Sequence, residues 1–98
     1  MAETPRYRTL SEDELYTAQL ADFMEKYSPE RVDAALMGVY WGLCTNPSVY
    51  PQTTWNVRQA KSRSIGTVPA FKVLFQVQDE NTVRLLWIEE ISALEDTQ

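Results

Sequence analysis

The chain has 98 residues, with 14 acidic and 9 basic side chains and a formal net charge of −5 at pH 7. This length suits one hydrophobic core, so we expect residues 1–98 to form a single domain. Hydrophobic residues make up 44% of the sequence and charged residues 23%, which is too apolar for a disordered chain.

The numbers of histidines and cysteines limit the kinds of site that the chain can form. The sequence has no histidine and a single cysteine, Cys44. A disulfide within the chain is excluded, and the usual zinc ligands and neutral-pH proton carrier are missing, so we expect no metal and no cofactor. No apolar run approaches the ~18 residues of a membrane span, and the start MAETPRYRTL lacks the apolar core of a signal peptide. We expect a cytoplasmic protein with no membrane partner.

Acidic and basic side chains are unevenly distributed. Residues 34–78 contain no Asp or Glu, whereas Arg58, Lys61, Arg63 and Lys72 all fall in that segment. An acidic protein can therefore still carry a basic surface.

The first predicted elements are a strand and a helix. Arg6 to Leu10 fits an edge strand or an ordered arm. The SEDE sequence at residues 11–14 has the form of a capping box, which predicts a helix start there. Apolar side chains then recur at three- and four-residue spacing as far as Tyr27.

A second helix should follow almost at once. Ser28 is a suitable N-cap and Pro29 suits the first helical position. Asn46 and Pro47 should end this helix, because a residue before proline disfavours the α conformation. Two helices with so short a connection predict an antiparallel helical hairpin.

The second half predicts strands. SVYPQTT is turn-rich, Trp55 to Gln59 alternates as in a strand, and AKSRSIGTVP should form a cation-rich loop. The stretch FKVLFQVQDENTVRLLWIEE, Phe71 to Glu90, predicts a hairpin around the loop Asp79 to Asn81, with Asn81 in the left-handed conformation.

That loop would fix the strand register. Val77 would oppose Val83, Phe75 would oppose Leu85, and Val73 would oppose Trp87, with these odd-numbered residues facing the helices. The other face would carry a mixed set of side chains, namely Lys72, Leu74, Gln76, Arg84, Leu86 and Ile88. The predicted fold class is α+β, with an N-terminal helical hairpin packed on one face of a three- to four-stranded antiparallel sheet.

This order of elements, with NPSVYP after the second helix, resembles the RelE/ParE toxin superfamily of bacterial toxin–antitoxin modules, which includes plasmid-stabilisation-like proteins. Phe71 to Phe75 resembles the family's aromatic-Arg-Val-x-aromatic strand, with Lys72 in place of Arg, and Thr82 to Ile88 resembles its Val/Ile-rich last strand. The resemblance implies a protein that cleaves messenger RNA on the ribosome or inhibits DNA gyrase, and that an antitoxin segment neutralises.

The resemblance also implies a site and a departure from the family pattern. Cations on the sheet would bind RNA or a partner; the candidates are Arg58, Lys61, Arg63, Lys72 and Arg84. The alternative for the same cations is a solvated surface that confers solubility. Many members follow the last strand with His or Arg and then Tyr for proton transfer, whereas this chain has Glu89 and Glu90. Carboxylates there would repel RNA phosphates and are poorly matched to neutral-pH catalysis.

Three hypotheses follow. The first is a toxin-module protein that acts by binding an antitoxin and a cellular target. The second is a divergent ribosome-dependent mRNA endoribonuclease that uses Lys72 and the arginines of residues 58–63. The third is a non-toxic protein-interaction relative, so whether the protein is an enzyme stays open, as does its oligomeric state.

The tryptophans and the cysteine have simpler interpretations. We expect Trp87 in the core, opposite Val73, and Trp41 as an exposed interface aromatic beside Met37. Cys44 should be a small apolar residue rather than a nucleophile, because the chain offers no histidine to activate it.

Overall fold

A computed structural model describes residues 7–91, which form two helices, one short 3-10 helix and a five-stranded sheet. In chain order these are β1 Thr9–Glu12, α1 Glu14–Tyr27, α2 Pro29–Thr45, the 3-10 helix Pro47–Val49, β2 Gln52–Thr54, β3 Val57–Lys61, β4 Phe71–Val77 and β5 Thr82–Glu90. The strand order is β1-β5-β4-β3-β2.

The sheet is larger than predicted, and it is mixed. The α+β class is confirmed, but a strand precedes the helices and runs parallel to β5, whereas all other pairs are antiparallel. The amides of Thr9 and Asp13 donate to the carbonyls of Asn81 and Leu85, at 2.7 and 3.0 Å. A parallel pair between chain ends leaves no local turn signal in the sequence, and β2 comes from the stretch predicted as a turn.

Helix α1 begins later than the capping box predicts. Ser11 and Glu12 belong to β1, and Asp13 is the N-cap without a side-chain capping bond. The Asp13 carboxylate instead pairs with Arg84 of β5, at 2.5 Å. The capping-box prediction is therefore wrong, because Ser11 and Glu12 pair with β5 as part of a strand.

The two helices lie side by side in opposite directions. Ser28 separates them, with a φ of 95°, and its hydroxyl accepts from the Arg31 amide at 3.4 Å, as predicted for an N-cap. Tyr16 and Tyr40, each twelve residues from Ser28, join their hydroxyls at 2.6 Å. Burial raises the pKa of the Tyr40 phenol to about 12 and that of Tyr16 further. Neither helix has the length and apolar character needed to cross a bilayer.

The core lies between the helices and one face of the sheet. The helices supply Tyr16, Leu20, Val32, Leu36, Val39 and Leu43, and the sheet supplies Ala60, Phe71, Val73, Phe75, Val83, Leu85 and Ile88. Phe71, Val73 and Phe75 alternate on β4, so this strand presents its other side chains away from the helices.

The hairpin register is correct only as far as Leu85. Val77 opposes Val83 and Phe75 opposes Leu85 as predicted, but Leu74 opposes Trp87 and Val73 opposes Ile88, because Leu86 is an extra residue without a partner. The predicted pairing of Val73 with Trp87 is wrong.

The bulge reverses the predicted faces beyond Leu85. Ile88 is buried instead of outward-facing, and Trp87 is 37% exposed instead of buried. Asn81 does not have the predicted positive φ; among non-glycine residues of the described chain, Ser28 and Asn56 do.

Two glycines on α2 provide a matched stability test. A Cβ at Gly42 would lie 1.9 Å from the Tyr50 hydroxyl, whereas a Cβ at Gly38 would meet nothing within 4 Å. Tyr50 packs edge-on against Phe75, with ring centroids 5.7 Å apart. Gly38→Ala should therefore raise the free energy of unfolding by about 0.5–1 kcal/mol through helix propensity. Gly42→Ala should lower it, because Tyr50 must leave its contact with Phe75.

Chemical denaturation of both variants and the wild type measures this difference. The change at Gly38 serves as the control for propensity alone. Equal effects of the two substitutions would contradict the close approach of Tyr50 to α2.

Candidate functional site

The face of the sheet turned away from the helices, which we call the outer face, is the candidate site. No element among residues 7–91 packs over it. Its side chains form rows across β3, β4 and β5. One row is Lys61, Lys72 and Glu89, the next is Gln59, Leu74 and Trp87, and the third contains Gln76 and Arg84. The site is thus a charged row, a row with two large apolar side chains, and a polar row.

The charged row places two lysines side by side. Lys61 is directly opposite Lys72 in the β3–β4 register, and like charges in that position destabilise a sheet. On its other side Lys72 forms an ion pair that offsets this repulsion, with its Nζ 3.8 Å from Glu89 Oε1. Lys61 has no ion pair within the described residues. The β3 side of this row can therefore accept an anionic group.

Arg84 shares the outer face but is already paired. Its Nε donates to Asp13 Oδ1 at 2.5 Å, which links β5 to the start of α1. Both side chains are partly exposed. Arg84 therefore contributes less free positive charge to the outer face than Lys61 does.

The structure does not bring Arg58 and Arg63 to the outer face. Arg58 opposes the buried Phe75 and donates to the carbonyls of Tyr50 and Ser48, at 2.7 and 3.3 Å. Arg63 lies in the loop after β3 and lines a cleft of about 270 Å³ beside α2. Lys72 and Arg84 share the outer face as predicted, Lys61 joins them because β3 extends to it, and the binding role of all five cations stays a prediction.

Sequence reasoning missed Trp87 as a surface residue of this site. It lies opposite Leu74, which is itself half-buried, so the centre of the outer face is apolar. The run of apolar residues from Leu85 to Ile88 gives no signal for the bulge that turns Trp87 outward.

The paired glutamates face opposite sides of the sheet, as neighbouring strand residues do, and the bulge decides which of them faces outward. Glu89 faces outward beside Lys72, whereas Glu90 opposes the buried Phe71 and reaches helix α1. There its carboxylate accepts hydrogen bonds from the Tyr27 hydroxyl and, at 3.1 Å, from Lys26 Nζ. No sequence signal connects Tyr27 with Glu90, because 63 residues separate them.

The pair formed by Tyr27 and Glu90 has a definite protonation state. The hydrogen bond from Tyr27 lowers the pKa of the Glu90 carboxyl below its ordinary value of 4.5, with a smaller contribution from Lys26. The same hydrogen bond raises the pKa of the Tyr27 phenol. Near neutral pH Glu90 is therefore a bound carboxylate and Tyr27 a bound phenol, and neither is suited to proton transfer there.

Comparisons with known proteins identify the fold. A scan of protein-family models finds no match, and neither does a search of curated proteins. Among solved structures, a chain of the "Chromosomal ParDE TA system from P. aeruginosa" matches with a TM-score of 0.62 at 17% sequence identity. The match covers 88% of this chain and 98% of that one. The resemblance to the RelE/ParE superfamily is thus confirmed at the level of the fold.

The bond between Tyr27 and Glu90 predicts a titration difference. The pKa of Glu90 should lie below 4.5 in the wild type and rise toward that value in Tyr27→Phe, with a smaller rise in Lys26→Met. Because the folded-state pKa is the lower one, the stabilisation is present above about pH 4.5 and is lost as the pH falls through the folded pKa.

Carboxyl-detected NMR titration measures the pKa directly in the folded protein. Denaturation of the wild type and Glu90→Gln at several pH values should show a difference of at most about 1 kcal/mol, because the pair is partly open to solvent. That difference should shrink below pH 4.5. If Tyr27→Phe left the pKa of Glu90 unchanged, the hydrogen bond from Tyr27 would not be the cause of the lowered pKa.

Proposed function

We propose that the protein is a toxin-module protein that acts by binding, and that its outer face holds a segment of an antitoxin. The observation that carries the proposal is the composition of that face: two adjacent lysines beside a row with Leu74 and Trp87, without a covering element in the described chain. Such a surface is too apolar to suit free solvent and too charged for a core.

The arrangement of rows specifies the chemistry of the partner segment. Successive rows are two residues apart along β4, so an extended segment lying along that strand meets the lysine row, the apolar row and the row of Gln76 and Arg84 in turn. A carboxylate over the first row would pair with Lys61 and Lys72, and an apolar side chain two residues further along the segment would cover Leu74 and Trp87. We therefore propose an acidic, amphipathic antitoxin segment, with the cellular target engaged on the same face or through the helices.

An mRNA endoribonuclease has less support from these residues. The Glu89 carboxylate lies 3.8 Å from Lys72 Nζ, where it would compete with an RNA phosphate. Arg58 already donates to two backbone carbonyls on the helix side. The chain also contains no histidine that could act as acid or base.

Paired expression tests the proposal. Expression in a bacterial host should arrest growth, and co-expression of the adjacent reading frame, if it encodes a small DNA-binding protein with an acidic tail, should restore growth. The two proteins should then co-purify. Normal growth without a stable complex would instead identify a non-toxic relative.

Matched substitutions locate the interface in that complex. Lys72→Glu and Trp87→Ala should each weaken the complex by about tenfold or more, because central charged and aromatic contacts dominate binding energy. Arg31→Glu and Trp55→Ala make the same chemical changes on other exposed surfaces and should leave the affinity within about twofold.

Isothermal titration calorimetry with the purified partner measures these affinities. If both outer-face variants retained binding, the interface would lie on another surface. Transcript cleavage by the wild type that Lys72→Ala abolishes would favour the ribonuclease alternative.

A further inference from the structure

Helix α2 carries an apolar surface on the side that does not face the sheet. Met37 is 68% exposed and Trp41 is 61% exposed, which confirms Trp41 as an exposed aromatic. Tyr7, 54% exposed, packs against Trp41 with ring centroids 5.3 Å apart. We call these three residues, with Tyr40 and Cys44, the helix patch.

The helix patch is a groove rather than scattered side chains. A depression of about 400 Å³ is lined by Asp33, Met37, Tyr40, Trp41 and Cys44. These positions follow one stripe of the helix, which at 1.5 Å per residue extends roughly 16 Å. That length fits about three turns of a second helix laid along α2.

Carboxylates border the groove. Asp33 lines its N-terminal end on α2. Glu12 approaches from β1, and both carboxylates help to raise the pKa of Tyr40, after the larger effect of burial. The Thr17 hydroxyl donates to Glu12 at 2.8 Å.

Two nearby cations among residues 7–91 have partners elsewhere. Lys26 pairs with Glu90, and Arg31 donates to Thr67 at 3.2 Å. The backbone amide of Arg8 donates to the Cys44 carbonyl at 3.0 Å, at the opposite end of the groove from Asp33. The Asp33 end of the groove is thus its acidic end.

We infer that the helix patch is a docking groove for a cationic amphipathic helix. Apolar side chains at helical spacing would cover Met37 and Trp41, and Lys or Arg side chains on the flanks would pair with Asp33 and Glu12. A second copy fits less well, because two chains that each carry a net charge of −5 repel one another, whereas a basic helix is attracted.

This docking groove goes beyond the proposed antitoxin face and does not depend on it. The outer face lies on the opposite side of the sheet from the helices and suits an acidic segment, whereas the helix patch suits a basic one. Lys72→Glu should consequently leave binding at the helix patch intact.

A synthetic helix tests the inference. The probe is a fluorescein-labelled peptide of about 18 residues, with leucines at i, i+3, i+4 and i+7 and lysines at the other positions. A counter-probe has glutamate in place of every lysine. Fluorescence anisotropy should show saturable binding of the lysine peptide that weakens with salt, and at least tenfold weaker binding of the glutamate peptide.

Paired variants separate the groove from general attraction to an acidic protein. Trp41→Ala should weaken binding at least tenfold, whereas Trp55→Ala, which removes an 86%-exposed tryptophan from the β2–β3 turn, should leave it unchanged. Asp33→Asn should weaken binding about threefold and reduce its salt dependence, whereas Glu80→Gln in the hairpin loop should have no effect.

Circular dichroism melting of each variant verifies the fold. Met37→Ala changes another exposed side chain of the groove and is a second test of binding there. Equal binding of the two peptides would overturn the inference, and so would equal losses in Trp41→Ala and Trp55→Ala. A wild-type dimer in sedimentation velocity that Trp41→Ala abolishes would also overturn it, because a second copy would then be the occupant.

Discussion

The extra residue at Leu86 decides the orientation of every β5 side chain that follows it. In the regular register Trp87 would oppose Val73 in the core, Ile88 would lie beside Lys72, and Glu89 would oppose Phe71, where Glu90 lies now. The bulge instead places Ile88 in the core and Glu89 beside Lys72. A glutamate faces the helices in either register, so the bulge exchanges Trp87 for Ile88 in the core and gives Lys72 a carboxylate neighbour.

The same bulge determines the chemistry of both faces at the end of β5. Without it Lys72 would lie beside Ile88 and Leu74 beside Leu86; with it their neighbours are Glu89 and Trp87. The outer face gains an aromatic side chain and loses part of its positive charge. On the helix side, Glu90 accepts the hydrogen bond of Tyr27, which fastens the end of β5 to α1.

Features encoded by neighbouring residues were predictable from the sequence. The Ser28-Pro29 helix start, the Asn46-Pro47 stop and the hairpin register near Val77 all depend on contacts within a few residues. The predicted start of α1 was wrong because Ser11 and Glu12 pair with β5, more than 70 positions away. The predicted faces of β5 were wrong because an unbroken apolar run fits either register. Only packing against the helices decides that Ile88 is buried and Trp87 is not.

The candidate site, too, could be predicted from the sequence only in part. Alternation on β4 places Lys72 on the outer face, but the sequence assigned Lys61 to a loop and gives no information on which cations are already bound. Arg84 is paired with Asp13, Lys72 has Glu89 on one side, and Lys61 has no ion pair among residues 7–91. Positive charge on the outer face therefore increases toward β3, away from Trp87. A partner segment that lies along β4 can use both, with an acidic group over the lysines and apolar groups over Leu74 and Trp87.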